Sequence, residues 1–211
     1  MRVDHVSYAA ETGGLRETAA HLSAALGVVA LDGGVHPRFG TRNMVLPLAD
    51  GRYVEVVEVL DHPASDKAPF GQAVRARSAD GGGWLGWCVA VDDMAPHEQR
   101  LGRESVAGNR RLPDGTELRW RQLGVKGLIS DPQLPFMTRW ESPPELHPSV
   151  AATTTVRLAG LQIAGDRARV TDWLGLPGDV STDVEFTFTA PHGTPGLLSC
   201  SFATPAGLVT V

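Results

Sequence analysis

Asp4-His5-Val6-Ser7-Tyr8-Ala9 opens a strand pattern that leads into a helix ending Ala25-Leu26-Gly27-Val28. Near the other end of the chain, Ala159-Gly160-Leu161-Gln162-Ile163-Ala164 leads to a helix ending Trp173-Leu174-Gly175-Leu176. Between them, Leu85-Gly86-Trp87-Cys88-Val89-Ala90-Val91-Asp92 is a middle opening of the same kind. A strand followed by a helix that stops at glycine, met three times, marks a divergent internal repeat. That recurrence decides the fold, because it says that one small unit has been reused.

The first unit is the clearest. Residues 3–9 are short, β-rich and bounded by polar residues, so they form a strand. Leu15, Ala19, Leu22, Ala25 and Leu26 fall on one face at helical spacing, and Gly27 tolerates the left-handed backbone of a helix stop. Residues 28–31 and 43–48 are strands, and Ala49-Asp50-Gly51 is a tight hairpin signal before a long β-branched strand over 52–60. The order is β-α-β-β-β. Residues 61–83, opened by His62-Pro63 and ended by Gly81-Gly82-Gly83, have the composition of a mobile connector. A second β-α-β-β-β order follows, with strands over 84–91, 105–111, 117–126 and 134–140 and a weak helix over 95–102. Residues 143–153 link to a shorter β-α-β-β pass in 154–211. Its strands over 184–190 and 197–203 flank Pro191-His192-Gly193. The expected divisions are thus 1–60, 61–83, 84–142, 143–153 and 154–211. The fold class is α+β: tandem βαβββ units forming a cupped mixed sheet, plus a C-terminal βαββ extension. Each unit exposes one face of a small sheet, and pairing two such faces encloses a hollow.

Composition excludes several functions. In 211 residues 42% are hydrophobic, enough for a substantial core, and the net charge is −5. The arginines between Arg103 and Arg121 are diluted by Asp114 and Glu117, so no basic nucleic-acid footprint is visible. No apolar run approaches the roughly 20 residues of a membrane helix, and the opening residues do not read as a signal peptide. Cys88 and Cys200 sit in apolar alternating stretches as buried hydrophobes rather than a disulfide. The expected setting is cytoplasmic, with a small-molecule ligand as partner, and the chain a monomer or homodimer.

Val3-Asp4-His5-Val6, Arg52-Tyr53-Val54-Glu55-Val56-Val57 and the intervening Gly34-Val35-His36-Pro37-Arg38-Phe39-Gly40-Thr41-Arg42-Asn43 resemble the vicinal oxygen chelate superfamily in its glyoxalase-like branch. The resemblance implies a sheet-lined cup. In many members the cup holds a divalent metal (Zn, Ni, Mn or Fe) that chelates adjacent substrate oxygens, with His on a unit's first strand and Glu on its last. Those positions match His5 and Glu55. The second unit does not complete the ligand set: Gly86 stands where a second His belongs, and Arg139 stands near the expected Glu. A transition metal usually needs at least three protein ligands, so the sequence favours a cup without one.

Side chains alternate across a strand. If His5 points inward Ser7 does too, and if Glu55 does, Tyr53 and Val57 join it while Glu58 faces away. His36, read as a loop residue at the rim, is suited to acid–base work near neutrality. His5, Glu55 and His36 are therefore the candidate catalytic residues. Asn43, Ser7, Tyr53, Trp87, Arg139 and Trp140 are candidate substrate-binding residues, with Arg139 expected to pair a negative group. Two functions from different classes follow. One is a glyoxalase-like lyase or isomerase acting on a carbonyl or vicinal-dioxygen substrate. The other is a metal-free protein that sequesters an apolar or aromatic compound.

Overall fold

The structure, a computed structural model, describes residues 1–176, 183–190 and 193–211. The Pro191-His192 part of the expected C-terminal turn lies outside the described residues. The first unit contains β1 (Arg2–Ala9), α1 (Gly14–Leu26), β2 (Leu31–His36), β3 (Thr41–Leu48) and β4 (Arg52–Val59). Helix α1 stops where expected: Gly27 has φ +66° and its N–H returns to the Ser23 carbonyl. The second strand, expected over 28–31, starts only at Leu31 and runs through the Gly33-Gly34 pair to His36. Gly34 has φ +95°, and a Cβ there would sit 2.0 Å from the Arg111 carbonyl oxygen, so only glycine allows the neighbouring strand so close.

The segment 61–83 is not a loop. It forms α2 (Pro63–Lys67) and α3 (Pro69–Ala79), each with proline in its first turn and the first capped by the His62 ring, which accepts from the Ala64 N–H. The second unit contains β5 (Gly83–Ala90), α4 (Ala95–Leu101), β6 (Val106–Arg111), β7 (Glu117–Leu123), α5 (Gly127–Ser130) and β8 (Phe136–Trp140). Two 3₁₀ turns, Pro144–Leu146 and Pro148–Ala151, order the stretch expected to be a linker.

Each unit folds its four strands in the same order. β1 runs parallel to β4, then β3 and β2 follow antiparallel; β5, β8, β7 and β6 repeat this. The two curled sheets meet edge to edge, β1 against β5 and β2 against β6, and close an eight-stranded barrel. The second seam is thin, with Val35 opposite Arg111 as its paired residues.

The C-terminal part is β9 (Arg157–Ala164), α6 (Arg167–Leu174), β10 (Glu185–Thr189), β11 (Gly196–Thr204) and β12 (Gly207–Thr210). It has one strand more than expected, and it is not a third copy. β9 lies between β10 and β11, whereas the first strand of each barrel unit lies beside the last. The recurring strand–helix–glycine opening therefore marks a shared local β-α element, not a shared sheet order.

Two apolar clusters result. One fills the space between the barrel's outer face and the C-terminal sheet, with Val6, Trp84, Trp87, Leu161, Trp173 and Phe202. The other lies inside the barrel, with Val57, Phe70, Cys88, Leu118 and Phe136. Cys88 and Cys200 are buried free thiols.

Candidate functional site

The barrel interior is where alternation sends the polar residues of the first unit. His5 pairs with Tyr53 and Ser7 with Glu55 across β1 and β4. Ser7 donates to Glu55 Oε2 at 2.9 Å, and Asn43 donates its amide to Oε1 at 2.8 Å. His36 closes β2 as a buried strand residue, not a rim loop residue. Its Nδ1 is 2.9 Å from Thr41 Oγ1 and its Nε2 is 3.7 Å from Glu55 Oε1. Burial pushes the His36 imidazole down to about 4, with Glu55 pulling the other way, so the ring is neutral near pH 7. Burial by itself would raise Glu55; the His36 and His5 rings and the Ser7 and Asn43 donors outweigh it and hold the carboxyl below its ordinary value. Glu58 faces away, as expected, and pairs with Arg42 at 2.5 Å.

Asp4 and His5 are consecutive, so a regular strand would put them on opposite faces. Here β1 carries a bulge: Val3 pairs with Val89 and His5 with Cys88, leaving Asp4 as the extra residue. The bulge turns the Asp4 carboxylate to the His5 ring, 3.0 Å from Nδ1. Asp4 also receives Trp140 Nε1 at 3.3 Å, His147 Nε2 at 3.2 Å and Arg2 at 3.0 Å. Burial opposes ionisation of this fully buried acid, but the hydrogen bonds and charges of His147 and His5 hold it well below the carboxylate range. An ionised carboxylate only accepts, so His5 Nδ1 carries the proton and Nε2 is left as the basic nitrogen. His5 also stacks on Tyr53, with centroids 4.5 Å apart.

These groups line a small hollow that opens to solvent; the empty space there, open solvent included, is about 440 Å³. His5, His36, Glu55, Arg110, Gln122 and Thr138 give it polar atoms; Phe39, Tyr53, Phe70, Trp120, Phe136 and Trp140 wall it. Phe70 comes from α3, in the segment expected to be a connector. Gly108 makes room for the Trp120 ring, since a Cβ there would lie 2.4 Å from it. The Trp120 N–H donates to Gln122 Oε1 at 2.9 Å, which leaves the Gln122 amide N–H groups for the cavity.

Of the candidates read from sequence, His5, His36, Glu55, Tyr53 and Trp140 line the cavity. Ser7 and Asn43 stand behind Glu55 and hold it. Trp87 and Arg139 do not reach it. Trp87 pairs with outward-facing Val6, donates to the Gln133 carbonyl at 3.1 Å and packs on Phe186. Arg139 lies between inward-facing Thr138 and Trp140, and points to Glu141, 3.9 Å away, and the Asp92 carbonyl. Asp4, Arg110, Gln122 and His147 were not anticipated.

Among the described residues, Asp4, His5 and Cys88 are the group whose possible metal-ligating atoms lie within 4.8 Å of one another. The donor set fits an ion poorly. Asp4 already accepts four N–H groups, His5 turns a protonated nitrogen toward it, and burial pushes the Cys88 thiol well above its usual value. The pair matched to the superfamily's ligands, His5 and Glu55, shares its cavity with the Arg110 cation, and both Glu55 oxygens accept hydrogen bonds. Gly86, opposite Ser7, supplies no ligand from the second unit.

Tandem βαβββ units closing around an interior polar site define a vicinal oxygen chelate fold. Within it the chain belongs to the family described as the glyoxalase-like domain, whose model matches residues 3–176. No curated protein matches the chain. Among solved structures, a hypothetical protein from Staphylococcus aureus superposes with TM-score 0.70 at 15% identity, covering 95% of this chain and 90% of that one. That shows a shared fold over nearly the whole length, the C-terminal sheet included. Methylmalonyl-CoA epimerase from Mycobacterium tuberculosis superposes loosely, at TM-score 0.45 and 17% identity over 72% of this chain and 92% of that one. No helix among the described residues is long and apolar enough to cross a membrane.

Proposed function

We propose that the protein is a glyoxalase-like enzyme that moves a proton at the carbon beside a carbonyl, using the barrel cavity without a metal. The observation that supports this most is the Asp4–His5 pair. A fully buried, ionised carboxylate fixes the tautomer of an imidazole whose other nitrogen is left to the cavity. In this reading His5 Nε2 accepts the proton and returns it to the former carbonyl carbon of the enediolate, so a hydroxycarbonyl substrate is isomerised with no net change in protons. Asp4 is a positioning residue that also stabilises the imidazolium once formed. The Gln122 amide, oriented by Trp120, donates to the oxygen on which charge develops. Ionised Glu55 and neutral His36 orient the substrate's polar groups.

The rival reading is a sequestering protein, favoured by the aromatic walls Phe39, Phe70, Trp120, Phe136 and Trp140, which suit a flat apolar ligand. Proton NMR in deuterium oxide separates the two. With a panel of small carbonyl compounds, the enzyme is expected to wash out the signal of the hydrogen beside the carbonyl. His5→Ala is expected to slow this by about 10²-fold or more. A ligand that saturates the wild-type cavity and never exchanges would favour sequestration instead.

A further inference from the structure

Arg110 is the charged group that the protein's own hydrogen bonding leaves over. It is 5% exposed and lines the cavity from β6, in register with inward-facing Leu118 of β7. Its Nε is buried with no hydrogen-bond partner, and no carboxylate among the described residues lies within 4.0 Å of the guanidinium. Ionised Glu55 attracts the guanidinium through space, but its two oxygens are taken up by Ser7 and Asn43. A buried charge without a hydrogen-bonded counter-charge is costly and rare. A guanidinium cannot escape the cost by losing its proton, and its planar fork of N–H donors matches a carboxylate bidentately.

The surroundings limit what can carry that carboxylate. Trp120 is two residues along β7 from Leu118, its ring is 5.5 Å from that of Trp140, and Phe136 completes this wall. Arg110 also borders a second hollow, toward Asp32, Glu145 and His147, so the guanidinium stands between the interior and the turns over 144–151.

We propose that Arg110 is the anion-binding residue of the cavity and that the ligand is a small carboxylic acid with a flat apolar body, its carboxylate on the guanidinium and its body against Trp120, Trp140 and Phe136. This deepens the proposed function by naming the acid class of its carbonyl substrate, and rests on that reading only for the carbonyl. The role expected of Arg139 from sequence thereby passes to Arg110.

The test uses the full chain and four probes: formate, benzoate, phenylpyruvate and the neutral benzamide. The Arg110 Nε–H signal in a proton–nitrogen spectrum is assigned by its loss in Arg110→Met. It is expected to move saturably with the anions and not with benzamide, and to do so unchanged in Arg139→Met. Benzoate is expected to bind about tenfold or more tighter than benzamide, a preference lost in Arg110→Met. A signal unmoved by every anion, or an anion preference that survives in Arg110→Met, overturns the proposal. Anion binding through Arg110 without hydrogen exchange would leave this inference standing and remove the proposed reaction. Exchange of a neutral carbonyl compound without Arg110-dependent binding would do the reverse.

Discussion

Replacing Asp4 by valine tests the Asp4–His5 pair most sharply. Valine suits a strand and removes both oxygens at once. Four donors lose an acceptor: His5 Nδ1, Trp140 Nε1, His147 Nε2 and Arg2. Arg2 keeps the Gly51 carbonyl at 2.6 Å and its side chain is 41% exposed, so its loss costs little. His147 cannot swap its proton to Nδ1 without displacing the Ser149 N–H that donates there at 3.2 Å. His5 has no such restraint and is expected to move its proton to Nε2. That leaves two orphaned N–H groups, at Trp140 and His147, each worth about 1–3 kcal/mol. A total of about 3 kcal/mol lowers the melting temperature by roughly 6–12 °C in a chain of this size. Nitrogen NMR of the imidazoles reads the tautomer directly. The expected result is a His5 Nδ1 shift changing from the protonated to the bare type, together with the loss of stability. An unchanged His5 tautomer with stability within about 0.5 kcal/mol of wild type would refute the argument that Asp4 sets which nitrogen is basic.

Two further outcomes follow from the same geometry. His36 is held at about 4 against an ordinary 6.5, so the unfolded chain binds its proton first as the pH falls. Its contribution of about 3 kcal/mol is complete above 6.5 and is lost as the pH drops through about 4. Denaturant titrations of wild type and His36→Gln are expected to diverge in that window, and parallel curves would contradict a buried neutral ring. Trp87→Ala is expected to cost about 3–5 kcal/mol, because the side chain is wholly buried between the barrel and the C-terminal sheet. Calorimetric titration with any ligand of the cavity should nonetheless give wild-type affinity, and a loss specific to binding would return Trp87 to the site.

Strand alternation made a good part of this site legible. His5 with Ser7, and Tyr53 with Glu55, follow from the period of two once each strand is found. The same rule corrects two expectations. Thr138 and Trp140 face inward, so Arg139 between them cannot, and Trp87 beside inward Cys88 cannot either. Asp4 was not legible, because it reaches His5 through a bulge that no residue pattern announces. Arg110 left a trace: an arginine at an alternating position opposite Leu118 breaks the apolar pattern of a buried face. The connector expected over 61–83 rests on His62-Pro63 and Gly81-Gly82-Gly83 at its ends, yet proline equally starts helices, as Pro63 and Pro69 do here. The C-terminal sheet order depends on long-range pairing and could not be read from its familiar opening.

The cavity between the two half-sheets, faced by both His5 and Glu55, is where a ligand is expected to sit. Melting curves with a panel of small metabolic acids and carbonyl compounds test this directly when repeated in His5→Ala and Glu55→Ala. Compounds that raise the wild-type melting temperature are expected to lose most of that effect in both variants. Equal stabilisation of all three proteins would place the ligand elsewhere.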